Sequence, residues 1–585
     1  MPTLKKMCGF YLKNFFEKFF ACWLFSATGI LLFSKGDIAL DTTDVTGTLL
    51  LFFISFIVVS LIGMKFSGFI YLFLPVAAFM FSCTLLYFNN SIFTFIALAI
   101  IYALCVHHYI NNRKPLKIKI NKNHVIIFTA VCAIFFFGTV TTISVCRYLT
   151  YSAPNFDFGI FCNMYYNMKE NFAPIASCER DKILSHFAVH FSPALYVFLP
   201  FYYIFPSPVT VAVCQTAAIY SGIIPFLLIM KHRKISEKLT CVLAVMYLAN
   251  AAFSAGCLFD FHENCLLVPF LMWMFYFYEK KKIPLVFLFA LLTLMVKEDA
   301  FVYVAVFAVY IILAEKQIAK GTGLLLFAGV YFIGACYYIN TYGTGIMSNR
   351  FSSMINGDEG LLGMVKTVLF NPAYSVKQIF YTSGNTEDKL IYFIVIFAPL
   401  AFIPFFTKKK ARLILILPIL LNLFTSYAYQ YDISFQYNFG ITALLLYLSV
   451  INICDMPEKT KNLTAITAAG LAAMLFFMLI VPEATDDIKS YSDGKEMHKE
   501  MTQVLDTVPD DASVAASTFL LPHICNRTEI YEAFYTTHDD FEYLVLDMRS
   551  AYRNDSLRIA SEFEAKGYEP YDLSSEYVHI YKKVQ

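Results

Sequence analysis

The stretch FDFHENC (Phe259–Cys265) sets two carboxylates and an imidazole between apolar runs at 239–258 and 264–278. The second run stops at EKKK (Glu279–Lys282). A polar corner, an apolar run and a basic stop are the signature of a membrane hairpin. The rest of the chain repeats it. Of 585 residues 58% are hydrophobic and 15% charged, and mean hydropathy is +0.60. No soluble core uses that much apolar sequence, so the composition reads as a multi-pass membrane protein. A net charge of +2 gives no case for a nucleic-acid partner. Fifteen cysteines stand without a CxxC pair and read as small apolar-facing residues. The first run lacks a small-residue cleavage site and reads as an uncleaved span.

Spans are expected at 16–33, 47–63, 66–88, 91–110 and 124–145. They continue at 208–230, 239–258, 264–278, 283–296, 300–314 and 321–339, then at 391–406, 411–428, 437–453 and 463–481. That makes about fifteen. Loop charge alternates between them. Basic loops begin at Arg113, Lys231, Glu279, Glu315, Thr407 and Pro457, whereas the short connections on the other side hold only Lys35 and Lys297 as cations. The positive-inside rule makes the basic set cytoplasmic, together with Lys5, Lys6, Lys13 and Lys18 at the N-terminus. Parity then allows one crossing between Ser192 and Lys231. The dozen residues at 194–205, ending in PSP (Pro206–Pro208), read as an interfacial or re-entrant helix before the span.

The tail beyond about Pro482 changes character. DASVAAS (from Asp511), TEIYEAF (from Thr528), EYLVLDM (from Glu542) and EYVHIYKK (from Glu576) read as strands, and SLRIASEFEAKGY (from Ser556) as an amphipathic helix. The expected fold is an all-α polytopic membrane protein with a small extracytoplasmic α/β domain. Its parts are an N-terminal extension of about four spans (1–123), a transmembrane core (124–481) with outer loops at 147–193 and 340–390, and the outer domain (482–585).

Topology gathers the unusual ionisable residues on one side, at NFDFGIF (Asn155–Phe161), SHFAVHFSP (Ser185–Pro193), FDFHENC, VKEDA (Val296–Ala300) and YQYDISFQYNF (Tyr429–Phe439). Each has a plain alternative. Asp157 fits an N-cap for an amphipathic helix of Ile160, Phe161, Met164, Tyr165 and Met168 lying on the membrane surface. Asp260 with Glu263 fits a capping box, and Asp299 a cap for the span at 300–314. Caps leave His262, Lys297 and Glu298 unexplained. Successive helical residues diverge by about 100°, so one of Lys297, Glu298 and Asp299 is expected in a structural pair. His186 and His190 share the i,i+4 spacing of metal-binding pairs but have no HExxH. No resident metal is read here. A loosely held divalent cation, Mg or Mn, is the one cofactor candidate, near Asp157, Asp260 or Glu263.

NFDFGIF, the run from His190 to Gln215, LFDFHEN (Leu258–Asn264), VKEDA and the run from Val508 to Tyr531 together resemble a large bacterial family of predicted membrane proteins, the domain of unknown function DUF2079. The resemblance covers about Asn155 to the C-terminus. That family is similar to GT-C glycosyltransferases, multi-pass enzymes that take a sugar from a polyprenyl-phosphate donor on the outer membrane face. The resemblance implies a GT-C-like fold and a membrane-bound inverting glycosyltransferase with a lipid-linked sugar donor and an envelope acceptor. It implies Asp157 as the catalytic base, although the family-typical DxD or ExD pair is absent here. Lys297 and Arg350 would face the lipid phosphate. His190, Asp260, His262, Glu263, Glu298 and Asp299 would hold sugar, acceptor or ion. A secondary transporter or flippase would instead carry mid-membrane charges and an inverted repeat. A non-catalytic envelope assembly protein would use the outer domain as its interaction module.

Overall fold

The computed structural model describes residues 14–36, 45–66, 68–112, 119–345, 349–355, 360–380 and 386–584. Lys5, Lys6, Lys13 and most of the basic run from Arg113 lie outside the described residues.

Among the described residues, ten helices are long and apolar enough to cross a membrane. They coincide with ten of the expected runs. The other five runs fold as shorter helical pieces: Leu267–Glu279, Ile283–Leu294, Phe301–Leu313, Thr386–Phe397, and a 3₁₀ turn Lys410–Ile416 followed by Ile419–Phe424. Local chemistry starts several of them. Asn121 and His124 form a reciprocal capping box at Lys122–Leu149. Ser207 caps the helix that Pro208 opens, and Ser236 caps Glu237–Leu248. The piece before Ser207 is a 3₁₀ turn, Pro193–Val197, and a short helix, Leu199–Ile204, so a single span, Pro208–His232, follows it.

Burial sorts the spans. Gln436–Cys454 is 89% buried and forms the axis, whereas Val45–Lys65 is 17% buried and presents leucine and phenylalanine outward. A helix apolar on every side belongs at the centre of a bundle, and one with an exposed apolar face belongs against lipid. The basic loops meet at one end. There Glu279 lies 2.5 Å from Arg233 and accepts from Tyr447 at 2.6 Å, Lys409 lies 3.2 Å from Glu315, and Arg412 lies 2.5 Å from Asp455.

At the other end sits the C-terminal α/β unit. Its strands are β3 (Val514–Ala516), β4 (Ile530–Glu532), β5 (Tyr543–Asp547), β6 (Tyr568–Pro570) and β7 (Val578–Lys583); β1 (Ile175–Ala176) and β2 (Leu184–Ser185) form a separate small hairpin. The sheet order is β4-β3-β5-β7-β6, parallel among β4, β3 and β5 and antiparallel at β7. Helix Arg553–Glu564 buries Ile559, Ala560 and Phe563 in this unit's core. The tail's expected strands and helix all form.

Helix Ile160–Asn171 differs from expectation. It does not lie on a membrane surface: Phe161, Cys162, Asn163, Met164, Tyr165, Asn167 and Met168 are all buried. The α/β unit covers it, and Asn163 Nδ2 donates to the carbonyls of Cys525 (2.9 Å) and Arg527 (2.8 Å). Its apolar face packs on the bundle, while the amide side chains that read as a wet face satisfy the backbone of a docked domain.

Candidate functional site

Asp157 lies in a π-helical turn, Asn155–Gly159, between the long helix ending at Leu149 and the buried helix from Ile160. The domain above shapes this turn. Asn155 N–H donates to Thr518 Oγ1 at 3.1 Å, and a Cβ on Gly159 would stand 2.9 Å from Leu521 Cδ2. A larger residue there would have to push the Leu521 and Asn155 side chains aside. Asp157 does not cap the following helix, and among the described residues its carboxylate makes no hydrogen bond or ion pair.

The FDFHENC loop is fixed from behind. Gln215 Nε2 donates to the Asp260 carbonyl (2.9 Å), and Gln215 Oε1 accepts from His262 N–H (2.6 Å). Arg147 donates to the carbonyls of Leu258 and Phe259, and its Nη2 lies 3.8 Å from Asp260 Oδ1. The capping-box reading fails here. His262 occupies the N-cap position of the 3₁₀ turn Glu263–Leu266 with no side-chain cap. Glu263 faces inward instead, with His262 Nδ1 at 2.9 Å and Lys297 Nζ at 3.4 Å.

Lys297 follows helix Ile283–Leu294 in extended conformation and is buried. Its neighbour Glu298 forms the expected structural pair, 2.8 Å from His190 Nδ1, and also accepts from Phe191 N–H at 3.3 Å. Asp299 caps nothing. Arg350 donates to Tyr437 Oη at 2.8 Å and lies over the rings of Tyr427 (4.7 Å) and Tyr437 (5.2 Å), without an ion pair among the described residues. His186 pairs with Glu179 at 3.1 Å.

These groups share one electrostatic environment. Burial pushes the Asp157 carboxyl up to about 7; Lys297 opposes the rise, and Glu263 and Glu179 add to it. Burial also holds Asp260 well above the carboxylate range against the pull of Arg147. Burial alone would raise Glu263, but His262 and Lys297 outweigh it and hold it well below. Burial alone would lower Lys297, but Glu263, Asp299 and Glu298 outweigh it and raise it. Burial, joined by Lys297, takes His190 down to about 4, and burial, against the pull of Glu263, takes His262 down to about 4. Near neutral pH the site therefore holds a fixed ammonium–carboxylate pair, neutral imidazoles at positions 190 and 262, and two carboxyls that burial raises toward neutrality, Asp157 to about 7 and Asp299 to about 6.

The structure draws Asp157, His190, Asp260, His262, Glu263, Lys297, Glu298 and Asp299 into this one environment, with Arg350 acting on Asp299. Sequence reasoning passed over Arg147, Glu179 and Tyr427, and gave no role of their own to Gln215 and Tyr437, which stand within the runs singled out above. Among the described residues no three His, Cys, Asp or Glu side chains are placed to hold a metal ion between them, and of the carboxylates expected near a divalent cation Glu263 faces Lys297 and Asp260 faces Arg147.

Among solved structures, the chain is similar to ArnT from Cupriavidus metallidurans bound to undecaprenyl phosphate. That match has a TM-score of 0.46 and 10% identity, and covers 80% of this chain and 99% of that one. The apo state of the same protein matches with a TM-score of 0.41 and 10% identity, covering 79% and 98%. No curated protein matches the chain. The family model described as "Predicted membrane protein (DUF2079)" spans residues 147–578, from the helix end that carries Arg147, through the Asp157 turn and every candidate residue, to the last strand of the docked domain. On that match the chain belongs to the DUF2079 family of predicted membrane proteins.

Proposed function

We propose that this protein is a membrane glycosyltransferase that moves a sugar from a polyprenyl-phosphate donor to an acceptor on the outer membrane face. One observation carries the reading: an unpaired carboxyl with a pKa near neutrality, Asp157, stands in the field of a buried ammonium, Lys297. That combination suits proton abstraction from a hydroxyl beside an anionic leaving group. The motif resemblance to GT-C enzymes agrees with it. Asp157 takes the proton of the acceptor hydroxyl, and the oxygen forms a bond to the anomeric carbon. The bond from that carbon to the phosphate oxygen breaks, and the lipid phosphate leaves with the electron pair. In-line attack inverts the anomeric centre. Lys297 and Arg350 neutralise the leaving phosphate, and the neutral imidazoles and Asp299 contact sugar hydroxyls.

The loop charges put this site, and the domain from about 482, on the extracytoplasmic side, with the basic loops and the N-terminus in the cytoplasm. Residues 1–123 form the extension and 124–481 the catalytic core. The test uses purified full-length protein in vesicles with a labelled polyprenyl-phosphate sugar and an envelope extract as acceptor source. Sugar is expected to move in the parent and to slow by about 10²–10⁴-fold in Asp157→Asn. Unchanged transfer by the Asn variant removes Asp157 from the mechanism, and absence of donor-dependent transfer in the parent refutes the enzyme reading.

A further inference from the structure

Beyond Arg350 the chain enters a helical hairpin, Gly360–Phe370 and Pro372–Phe380. Its polarity is inverted. A surface helix in water turns its polar side chains outward. Here Leu362, Val365, Leu369, Phe370, Val376 and Phe380 point outward, with Leu362 80% and Phe370 82% exposed. The buried residue of the second helix is Ser375, whose hydroxyl donates to the carbonyls of Asn371 (3.1 Å) and Thr367 (3.3 Å) and so ties the two helices together. The first helix packs on the Arg350 turn, Asn349–Met354, and the second on Ile419–Phe424. Lys389 pins the hairpin further. It is buried in the first turn of Thr386–Phe397 and donates to the carbonyls of Gln378 and Leu423. Thr386–Phe397 and Ile419–Phe424 both belong to membrane runs, so the hairpin is fixed where the bundle leaves the hydrocarbon.

An apolar face of this size needs a cover, and at this level the cover at hand is lipid. The span that leads into the loop, Ile318–Tyr342, already presents such a face, with Leu326, Val330 and Ile333 exposed along it. Lys366 and Lys377 emerge on the same two helices, where their stems can lie on hydrocarbon and their ammonium groups among headgroups. We propose that the hairpin lies in the bilayer interface, its six outward side chains among the acyl chains, and that it holds the Arg350 turn at the lipid surface. The hold is direct. Tyr374 Oη donates to the Ser353 carbonyl at 2.7 Å, and Thr425 Oγ1 donates to the Arg350 carbonyl at 2.7 Å. That the turn is held there for a lipid phosphate rests on the transfer reading; the immersion of the hairpin does not.

The test places the full chain in phosphatidylcholine vesicles after Trp23→Phe and Trp273→Phe, which remove both native tryptophans. Phe370→Trp reports on the hairpin, with Phe380→Trp in its place should that variant not fold. Tyr535→Trp, at an exposed position of the α/β unit, reports on water. Emission from the hairpin reporter is expected to fall by about half in lipid brominated near the top of its acyl chains, and to resist iodide. The Tyr535→Trp reporter is expected to do the reverse. Quenching of the hairpin reporter by iodide overturns the immersion. So does protection from both quenchers, because a protein then covers the face. The hold on Arg350 is read by binding of labelled farnesyl phosphate to the same vesicles. Tyr374→Phe is expected to weaken binding about threefold, the scale of one hydrogen bond, in the parent and not at all in Arg350→Gln. Equal loss in both backgrounds, no loss in either, or no binding by the parent overturns the hold, while the quenching still decides the immersion. No sugar transfer enters these readouts, so a parent that gives both expected results without moving sugar upholds the hairpin and fails only the transfer reading.

Discussion

Transfer by the intact protein is expected to rise about tenfold between pH 6 and pH 8. The general base works only when ionised. With Asp157 held at about 7, the ionised fraction is about one-eleventh at pH 6 and about ten-elevenths at pH 8. Two neighbours set that position with opposite signs. The Glu263 charge raises the Asp157 carboxyl and Lys297 lowers it. Glu263→Gln is therefore expected to move the limb below 7, and Lys297→Met to move it above 7. Each breaks a buried pair, at a cost of about 3–5 kcal/mol, so less protein will be folded. The position of the limb is independent of that amount, which makes it the quantity to read. The assay is the initial rate at saturating labelled donor from pH 5.5 to 8.5 for the parent and both variants. A flat parent profile, or limbs that move in the same direction, refutes the assignment of the titrating group. Stability runs the other way. Because the folded state raises the Asp157 pKa, its favourable contribution is complete below the ordinary carboxylate pKa and is lost as pH climbs through about 7. Asp157→Asn escapes that loss and should unfold at pH 8 at or above the parent's temperature.

Gly159→Val drives a side chain into Leu521 and Asn155, at a cost of about 1–3 kcal/mol, and should loosen the outer domain; faster proteolysis between 482 and 520 would show it. Arg350→Gln should raise the KM for the lipid donor while leaving the pH limb in place, which separates phosphate recognition from proton transfer. A cysteine placed at Glu576 should react with an impermeant maleimide in intact cells; reaction only after permeabilisation would invert the topology and, with it, the side on which transfer occurs.

Much of the fold was legible because membrane insertion imposes a one-dimensional code. Apolar runs of bilayer length and alternating basic loops are local signals, and all fifteen expected runs are helical. The acidic corners were legible as anomalies, since charge at a helix end in so apolar a chain needs a reason. Other features were not, because their signal is tertiary. Gln215 looked like one polar residue in a span, and only the fold shows both ends of its amide holding the FDFHENC backbone. Arg147 closes a span and reads as an ordinary flank, yet it reaches Asp260 and two carbonyls of its loop. The helix at 160–171 has the pattern of a membrane-surface helix. Its polar face meets a domain more than 340 residues later in the chain, and no periodicity reveals that partner.

The contact between Asn155 and Thr518 also imposes a schedule. The two residues are 363 positions apart, so at about 5–20 residues per second the ribosome delivers the second roughly 18–73 s after the first. Through that interval the Asp157 turn lacks the roof that shapes it. A nascent chain therefore holds Asp157 without the geometry of the finished turn until the last hundred residues have docked. On the transfer reading, the C-terminal domain is a completion signal: a half-made chain has no finished site.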